Sequence, residues 1–339
     1  MSDLKANNEV LRSKIIDLDN KHIRLVRVGS TDQTKDIQLD TNFGGYGRIK
    51  SFKGEAKDNW PVNIIQLKEV CKNLSMPYSN KLKAQIFQLV GCDLRCWYCF
   101  VPNDSLKPNE DISDWVSAEE MIDAFVNQSE TNQLIDLSGG NPALVPEWVL
   151  WMIRELRKRN IEDKVILWSE DNLSSDMFFE KLSKEEIQEI VTNKNYARLC
   201  CLKGYNEESF AFNTGLNKEG FKFQFERLKK LYDTGMIIYP YVTMTTPNLG
   251  NLKNDVKTFV DKLQDIDEKL PLRTILVQIK EYEITKERIE ASSRKSLEEQ
   301  SLINQLEVAK VFMDELTDRY SKDEIAENIL VPTYESGEL

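Results

Sequence analysis

The stretch AQIFQLVGCDLRCWYCF, residues 84–100, joins an apolar run to a loop that carries half of the chain's six cysteines. The run at 84–90 reads as a strand that leads straight into the cysteine loop. The loop spaces its cysteines C-x3-C-x2-C: Cys92, Cys96 and Cys99. Three thiols cannot all pair with one another as disulfides. They are also one short of the four ligands of a closed structural zinc site. A cubane iron–sulfur cluster normally takes four thiolates, and one held by three leaves an iron open to a small molecule. Three simpler readings compete. Zinc would need a fourth ligand, and the single histidine, His22, lies far upstream. Buried structural cysteines would not need Asp93 and Arg95 between them. A reactive pair of the C-x2-C type, Cys96 and Cys99, would leave Cys92 unexplained.

Outward from this loop the pattern alternates. A helix is expected over 116–128, with Ser117 as N-cap and Glu120 as its capping-box partner. Strands follow at 133–138, 164–169, 197–203, 236–244 and 273–279. Helices are expected between them at 146–160, 175–191, 219–235 and 251–266. Asn172 or Ser174 is the expected cap of the 175–191 helix. Strand–helix alternation repeated in this way predicts parallel strands with helical crossovers, either an open doubly wound sheet or a partial barrel. Both architectures place chemistry at the C-terminal strand ends. The cysteine loop, Gly139-Gly140 and the WSEDN stretch at 168–172 all follow such ends, so the fold should gather them on one face.

Two flanks lie outside the alternation. Residues 1–83 hold an expected strand at 22–28 and a glycine-rich turn between strands at 43–52, with Gly44, Gly45 and Gly47. Residues 297–320 read as a helix whose apolar seam is Leu302, Leu306, Ala309, Met313 and Leu316. The expected division is therefore an N-terminal extension at 1–83, a barrel at 84–290, and a C-terminal helix and tail at 291–339. Composition is that of an ordinary globular protein, with 41% hydrophobic and 30% charged residues. A formal net charge of −11 argues against a nucleic-acid partner, which favours a basic face. No apolar run approaches the roughly 18 residues of a membrane span. Scattered cysteines without an export signal make a reducing cytoplasm the expected compartment.

With these residues in view, C-x3-C-x-(aromatic)-C, with Tyr98 as the aromatic, resembles the cluster-binding motif of the radical S-adenosylmethionine (SAM) superfamily. LSGGNPALVPEWV at 137–149 is similar to that family's segment at the end of the second strand. VILWSEDNLSS at 165–175 and LCCLKGYNEESFAFNTGL at 199–216 resemble strand ends of the pyruvate formate-lyase-activating-enzyme branch. The resemblance covers roughly residues 84–290. It implies a partial (β/α)6 barrel of the TIM type that binds one [4Fe–4S] cluster through Cys92, Cys96 and Cys99, together with SAM. It also implies an external electron donor of the flavodoxin or ferredoxin type, and a hydrogen atom taken from a small-molecule or peptide substrate. A glycyl-radical-enzyme activase is the alternative within the family. A non-catalytic iron–sulfur or zinc-binding scaffold is the alternative outside it.

The same resemblance carries over SAM contacts residue by residue. Gly139 and Gly140 would let the backbone approach the SAM ammonium. Asn141 stands where the family usually has glutamate, and its amide carbonyl could still accept a hydrogen bond. Ser169, Glu170 and Asn172 occupy positions of ribose and carboxylate contacts, and Lys203 that of a lysine neutralising the carboxylate. Pro240-Tyr241 replaces an arginine common in the branch. Val277, Gln278 and Tyr282 fall at the last strand end, where the adenine would stack. Of the remaining cysteines, Cys71 is expected buried, while Cys200 and Cys201, adjacent in a strand, should point to opposite faces.

Overall fold

The computed structural model describes residues 2–35, 40–54, 59–61, 63–128 and 133–328. Among the described residues, eleven strands form one sheet: β1 Ile16–Asp17, β2 His22–Val26, β3 Asp40–Asn42, β4 Gly47–Lys53, β5 Lys81–Leu89, β6 Ser113–Ser117, β7 Leu134–Gly139, β8 Ile166–Asp171, β9 Tyr196–Leu202, β10 Ile238–Thr243 and β11 Ile275–Val277. The six strands β5-β7-β8-β9-β10-β11 are parallel and adjacent in chain order. This is the partial (β/α)6 barrel. The antiparallel strands β4 and β2 continue the sheet beyond β5.

Alternation along the strands sorts side chains onto two faces. One face packs on the crossover helices through residues such as Phe87, Leu137, Leu167, Cys200 and Val242. The other, concave face carries Ile86, Leu134, Trp168, Leu199 and Tyr239. Its lower part is filled by the helix Ile65–Asn73, which buries Leu67, Val70 and Cys71 against it. β2 and β4 belong to the sheet, and the 65–73 helix closes the barrel floor. Near its open edge, Trp60 Nε1 donates to the Leu276 carbonyl at 3.0 Å, and Asn63 Nδ2 to that of Leu272 at 2.7 Å.

Local capping explains where several boundaries moved. The Ser117–Glu120 capping box is present, but residues 113–117 pair with β2, so the helix runs only over Ala118–Val126. The helix expected at 175–191 is two, Met177–Lys181 and Lys184–Val191. Ser183 caps the second through a box with Glu186, which resets the chain direction. Neither Asn172 nor Ser174 caps a helix here. Glu207–Thr214 is a further helix, capped by Asn206 and ended by Gly215 at φ +72°. In the long helix Lys295–Arg319 the buried seam includes Val308, Ala309, Val311, Phe312 and Leu316, while Leu302, Leu306 and Met313 lie at its margin. Phe312 meets Phe259 of the helix Leu252–Gln264 with ring centroids 6.2 Å apart. The tail beyond residue 328 lies outside the described residues. Among the described residues, no helix is long and apolar enough to cross a membrane.

Candidate cofactor site

The cysteine loop leaves β5 through Gly91, at φ +93°, and lies across the C-terminal strand ends. Its backbone is tied down on every side. Arg95 Nη1 donates to the carbonyls of Cys92 and, at 2.7 Å, Leu94. Trp97 Nε1 donates to Asn213 Oδ1 at 2.9 Å, fastening the loop to the helix 207–214. Arg288, on the helix Glu283–Glu290, donates to the carbonyls of Cys99 and Val101 and, at 2.9 Å, to Asn103 Oδ1. Cationic donors on carbonyls are among the stronger hydrogen bonds. Sequence reading missed Asn213 and Arg288. Asn206 before an acidic turn and Gly215 after it do signal the 207–214 helix, but nothing local marks Arg288.

The glycines of the second strand end belong to this fastening. Gly139 has φ +95°. Gly140 N–H donates to the Leu89 carbonyl at 2.9 Å, and Asn141 N–H to that of Gly91 at 3.0 Å. A Cβ on Gly140 would fall 1.8 Å from the Gly91 oxygen. The absence of a side chain is thus required by the cysteine loop's own backbone.

Around the thiols the polar groups converge. Asn172 Nδ2 donates to Cys92 Sγ at 3.4 Å. Lys203 is half-buried among Cys201, Tyr98, Cys96 and Cys92. Although desolvation opposes its charge, the neighbouring thiols and phenol hold its pKa well above the usual lysine value. Tyr98 lies at the same level, with Thr243 Oγ1 donating to its hydroxyl at 3.1 Å. Burial, reinforced by neighbouring acidic groups, pushes the Cys92 thiol up; burial does the same to Cys96, against the pull of Lys203.

Not every expected contact faces this mouth. Ser169 points to the helix side of the sheet, its hydroxyl 2.7 Å from that of Tyr196, because alternation sends Trp168 and Glu170 to the concave face instead. Asn141 is fully buried. Its Nδ2 donates to Asp93 Oδ1 at 2.8 Å and Ser174 Oγ at 2.9 Å, and its Oδ1 accepts from Asn172 N–H at 3.4 Å. It therefore pins three loops together rather than presenting an amide to the mouth. Asn172, Lys203 and Tyr98 are brought together with the cysteines, whereas Glu170 lies on the concave face near Asp136 and Cys201. Val277, Gln278 and Tyr282 lie at the same end, half-buried, with Tyr282 against Phe100 at 5.8 Å. Cys201 shares the concave side and Cys200 the helix core, as alternation requires.

The fit of a cluster rests on the donor set. Three thiols lie on one fastened loop beside the half-buried Lys203. Among the described residues, no three His, Cys, Asp or Glu side chains are arranged to hold one metal ion, these cysteines included. Burial favours the neutral thiols, which attract neither one another nor a common centre. A bound cation deprotonates cysteine, and each sulfur turns on a single χ1 bond from a backbone already held. Residues 82–197 match the family described as a 4Fe-4S single cluster domain. That match contains all three cysteines, the glycine pair and β5 to β8.

Among solved structures, the chain is similar to Streptococcus suis SuiB bound to precursor peptide SuiA, with 13% identity over 69% of this chain and 46% of that one, TM-score 0.47. It is similar to anSMEcpe with bound AdoMet, with 16% identity over 57% and 48%, TM-score 0.41. It is also similar to QueE from Escherichia coli, with 15% identity over 62% and 81%, TM-score 0.34. The chain spans about half the length of the SuiB structures it matches. No curated protein matches it.

Proposed function

We propose that the chain is a radical SAM enzyme, with Cys92, Cys96 and Cys99 as the ligands of one [4Fe–4S] cluster. The observation that carries this reading is the C-x3-C-x2-C loop at the end of the first parallel strand, set beside Lys203 and inside the matched iron–sulfur segment. Three ligands leave one iron of the cluster open. When bound there, SAM would be cleaved by one electron to methionine and a 5′-deoxyadenosyl radical, which removes hydrogen from a substrate.

The chain's own residues have four tasks in this reading. Arg95, Arg288, Asn213 and the Gly139-Gly140 turn hold the loop rigid, so that the thiolates need little rearrangement to bind. Lys203 places a positive charge where the thiolates, and the carboxylate of a bound methionine moiety, would place negative ones. In a site shielded from water that charge counts for more than at a surface. Tyr98 and Asn172 supply hydrogen-bonding groups at the same level. Val277, Gln278 and Tyr282 form the wall for an adenine. An electron donor of the flavodoxin or ferredoxin type and a reducing cytoplasm accompany the proposal. A small molecule is preferred as substrate over a glycyl-radical enzyme, because the polar groups left free lie deep in the barrel.

Metal analysis after anaerobic reconstitution tests the proposal. About four irons and four sulfides per chain are expected, the stoichiometry of one cubane. Stoichiometric zinc without iron would return the loop to a scaffold role.

A further inference from the structure

Below the cysteine loop, the concave face holds four charged side chains that make no ion pair among the described residues, although Lys50 Nζ lies 4.7 Å from the Phe52 ring. Arg48 and Lys50 come from β4, on the side of the sheet shared by Ile86 and Ala84, their register partners. Asp136 comes from β7 and Glu170 from β8, on that same side with Trp168. Arg48 is 4% exposed and Asp136 3% exposed. Arg48 Nε and Asp136 Oδ1 are buried without any hydrogen-bond partner. Among the described residues, none of the four makes an ion pair within 4.0 Å or a hydrogen bond through its side chain; the one polar contact of Arg48 is its guanidinium 6.0 Å from the Phe100 ring.

Such an arrangement is costly in an interior unless something completes it. A buried guanidinium or carboxylate left unpaired loses its hydration without compensation. Were these groups structural, they would close on each other, as Asp171 and Arg198 do at 3.1 Å on the opposite face. Instead the cations of β4 and the carboxylates of β7 and β8 stay apart on the one concave face, with β5 between β4 and β7. Lys50 remains solvent-accessible although desolvation lowers its pKa, the combination expected of a side chain lining a concavity. Burial, with repulsion from Glu170, raises the Asp136 carboxyl to about 8, so a cation beside it would restore its charge.

We propose that this face binds the zwitterionic head of a free amino acid, with its carboxylate at Arg48 and Lys50 and its ammonium at Asp136 and Glu170. The inference deepens the reading above and rests on it for the identity of this molecule as substrate. The head would lie beneath the cysteine loop, because Arg48 reaches the ring of Phe100, the residue after Cys99. Opposite charges held apart on one face select a zwitterion over an amine or an acid alone, since either would leave the cations or the carboxylates unpaired.

The test uses the full chain, reconstituted anaerobically and supplied with SAM, dialysed against an equimolar mixture of the twenty proteinogenic amino acids. One amino acid is expected to be retained at about one per chain, identified by mass spectrometry and measured by calorimetry. Arg48→Gln and Lys50→Gln should each weaken it at least about tenfold. Its carboxamide should bind weakly to wild type and be insensitive to both changes, and its N-acetyl derivative insensitive to Asp136→Asn. Lys50→Gln alters an accessible residue, so it keeps the test open if Arg48→Gln does not fold. Retention of no amino acid, or unchanged affinity in both Lys50→Gln and Asp136→Asn, overturns the proposal. Iron content and SAM cleavage are measured on the same samples. Cleavage without amino-acid binding refutes the pocket alone, and binding without iron refutes the cofactor reading alone.

Discussion

Replacing Gly140 with alanine is the sharpest probe of how the site is assembled. The added Cβ would fall 1.8 Å from the Gly91 oxygen, 2.6 Å from its carbonyl carbon and 3.1 Å from the Leu89 oxygen. All three are backbone atoms, so no side chain can swing aside. The cysteine loop must retreat from the second strand end by about 1.5 Å to regain van der Waals distance. That movement breaks the bonds from Gly140 N–H to Leu89 and from Asn141 N–H to Gly91. Two backbone hydrogen bonds at about 1 kcal/mol each, with about 1–3 kcal/mol of overpacking strain, give a loss of about 3–5 kcal/mol at the loop. Since Cys92 follows Gly91, cluster loading should fall together with SAM affinity. The sequence alone suggests a different outcome, with SAM binding lost and iron spared. Iron and sulfide analysis with thermal melting by circular dichroism decides between them. Gly215→Ala serves as control: that glycine has positive φ, but nothing lies within 4 Å of its Cβ position, so stability should fall slightly and iron stay at wild-type level. Full iron and an unchanged Tm in Gly140→Ala would refute the reasoning.

Other expectations follow from the same contacts. Cys92→Ala, Cys96→Ala or Cys99→Ala should each remove most of the iron, whereas Cys71→Ala and Cys201→Ala should keep it, by elemental analysis. Arg288→Ala strips the donors from the carbonyls of Cys99 and Val101; at about 1.5–3 kcal/mol for a bond from a charged group, it should speed loss of iron to a chelator without unfolding the barrel. Asp171→Ala leaves Arg198 buried without its ion partner and should lower stability by about 3–5 kcal/mol in denaturant titrations. Asp136 has a folded pKa raised to about 8, so the folded state binds the extra proton between about pH 4 and pH 8, and its contribution to stability declines as pH rises through that window. Asp136→Asn should therefore melt above wild type at pH 8.5 and close to it at pH 5; a gap of the opposite sign would contradict the burial argument.

The barrel was legible because each strand and its crossover helix carry their own period, and the cysteine spacing marks the loop without help from the fold. Boundaries failed where a cap outweighed periodicity, as at Ser183, or where tertiary pairing claimed residues 113–117 for β2. Site residues were legible when chain-local and misassigned when the strand face decided. Ser169 and Glu170 are neighbours in sequence, yet alternation turns one to Tyr196 and the other to the barrel. Asn141 was recognised at the second strand end, but its partners come from two other segments, Asp93 from the cysteine loop and Asn172 and Ser174 from the turn after β8. Arg48 and Lys50 gave no signal at all. They lie in a strand that only its pairing with β5 reveals as the barrel's edge.

The most direct test of the central claim is formation of 5′-deoxyadenosine by the anaerobically reconstituted, chemically reduced protein incubated with SAM, followed by liquid chromatography. The account predicts slow production of 5′-deoxyadenosine and methionine in equal amounts, absent in Cys99→Ala and reduced in Lys203→Ala. A protein carrying a full complement of iron and sulfide that yields no 5′-deoxyadenosine under strong reductant would contradict it.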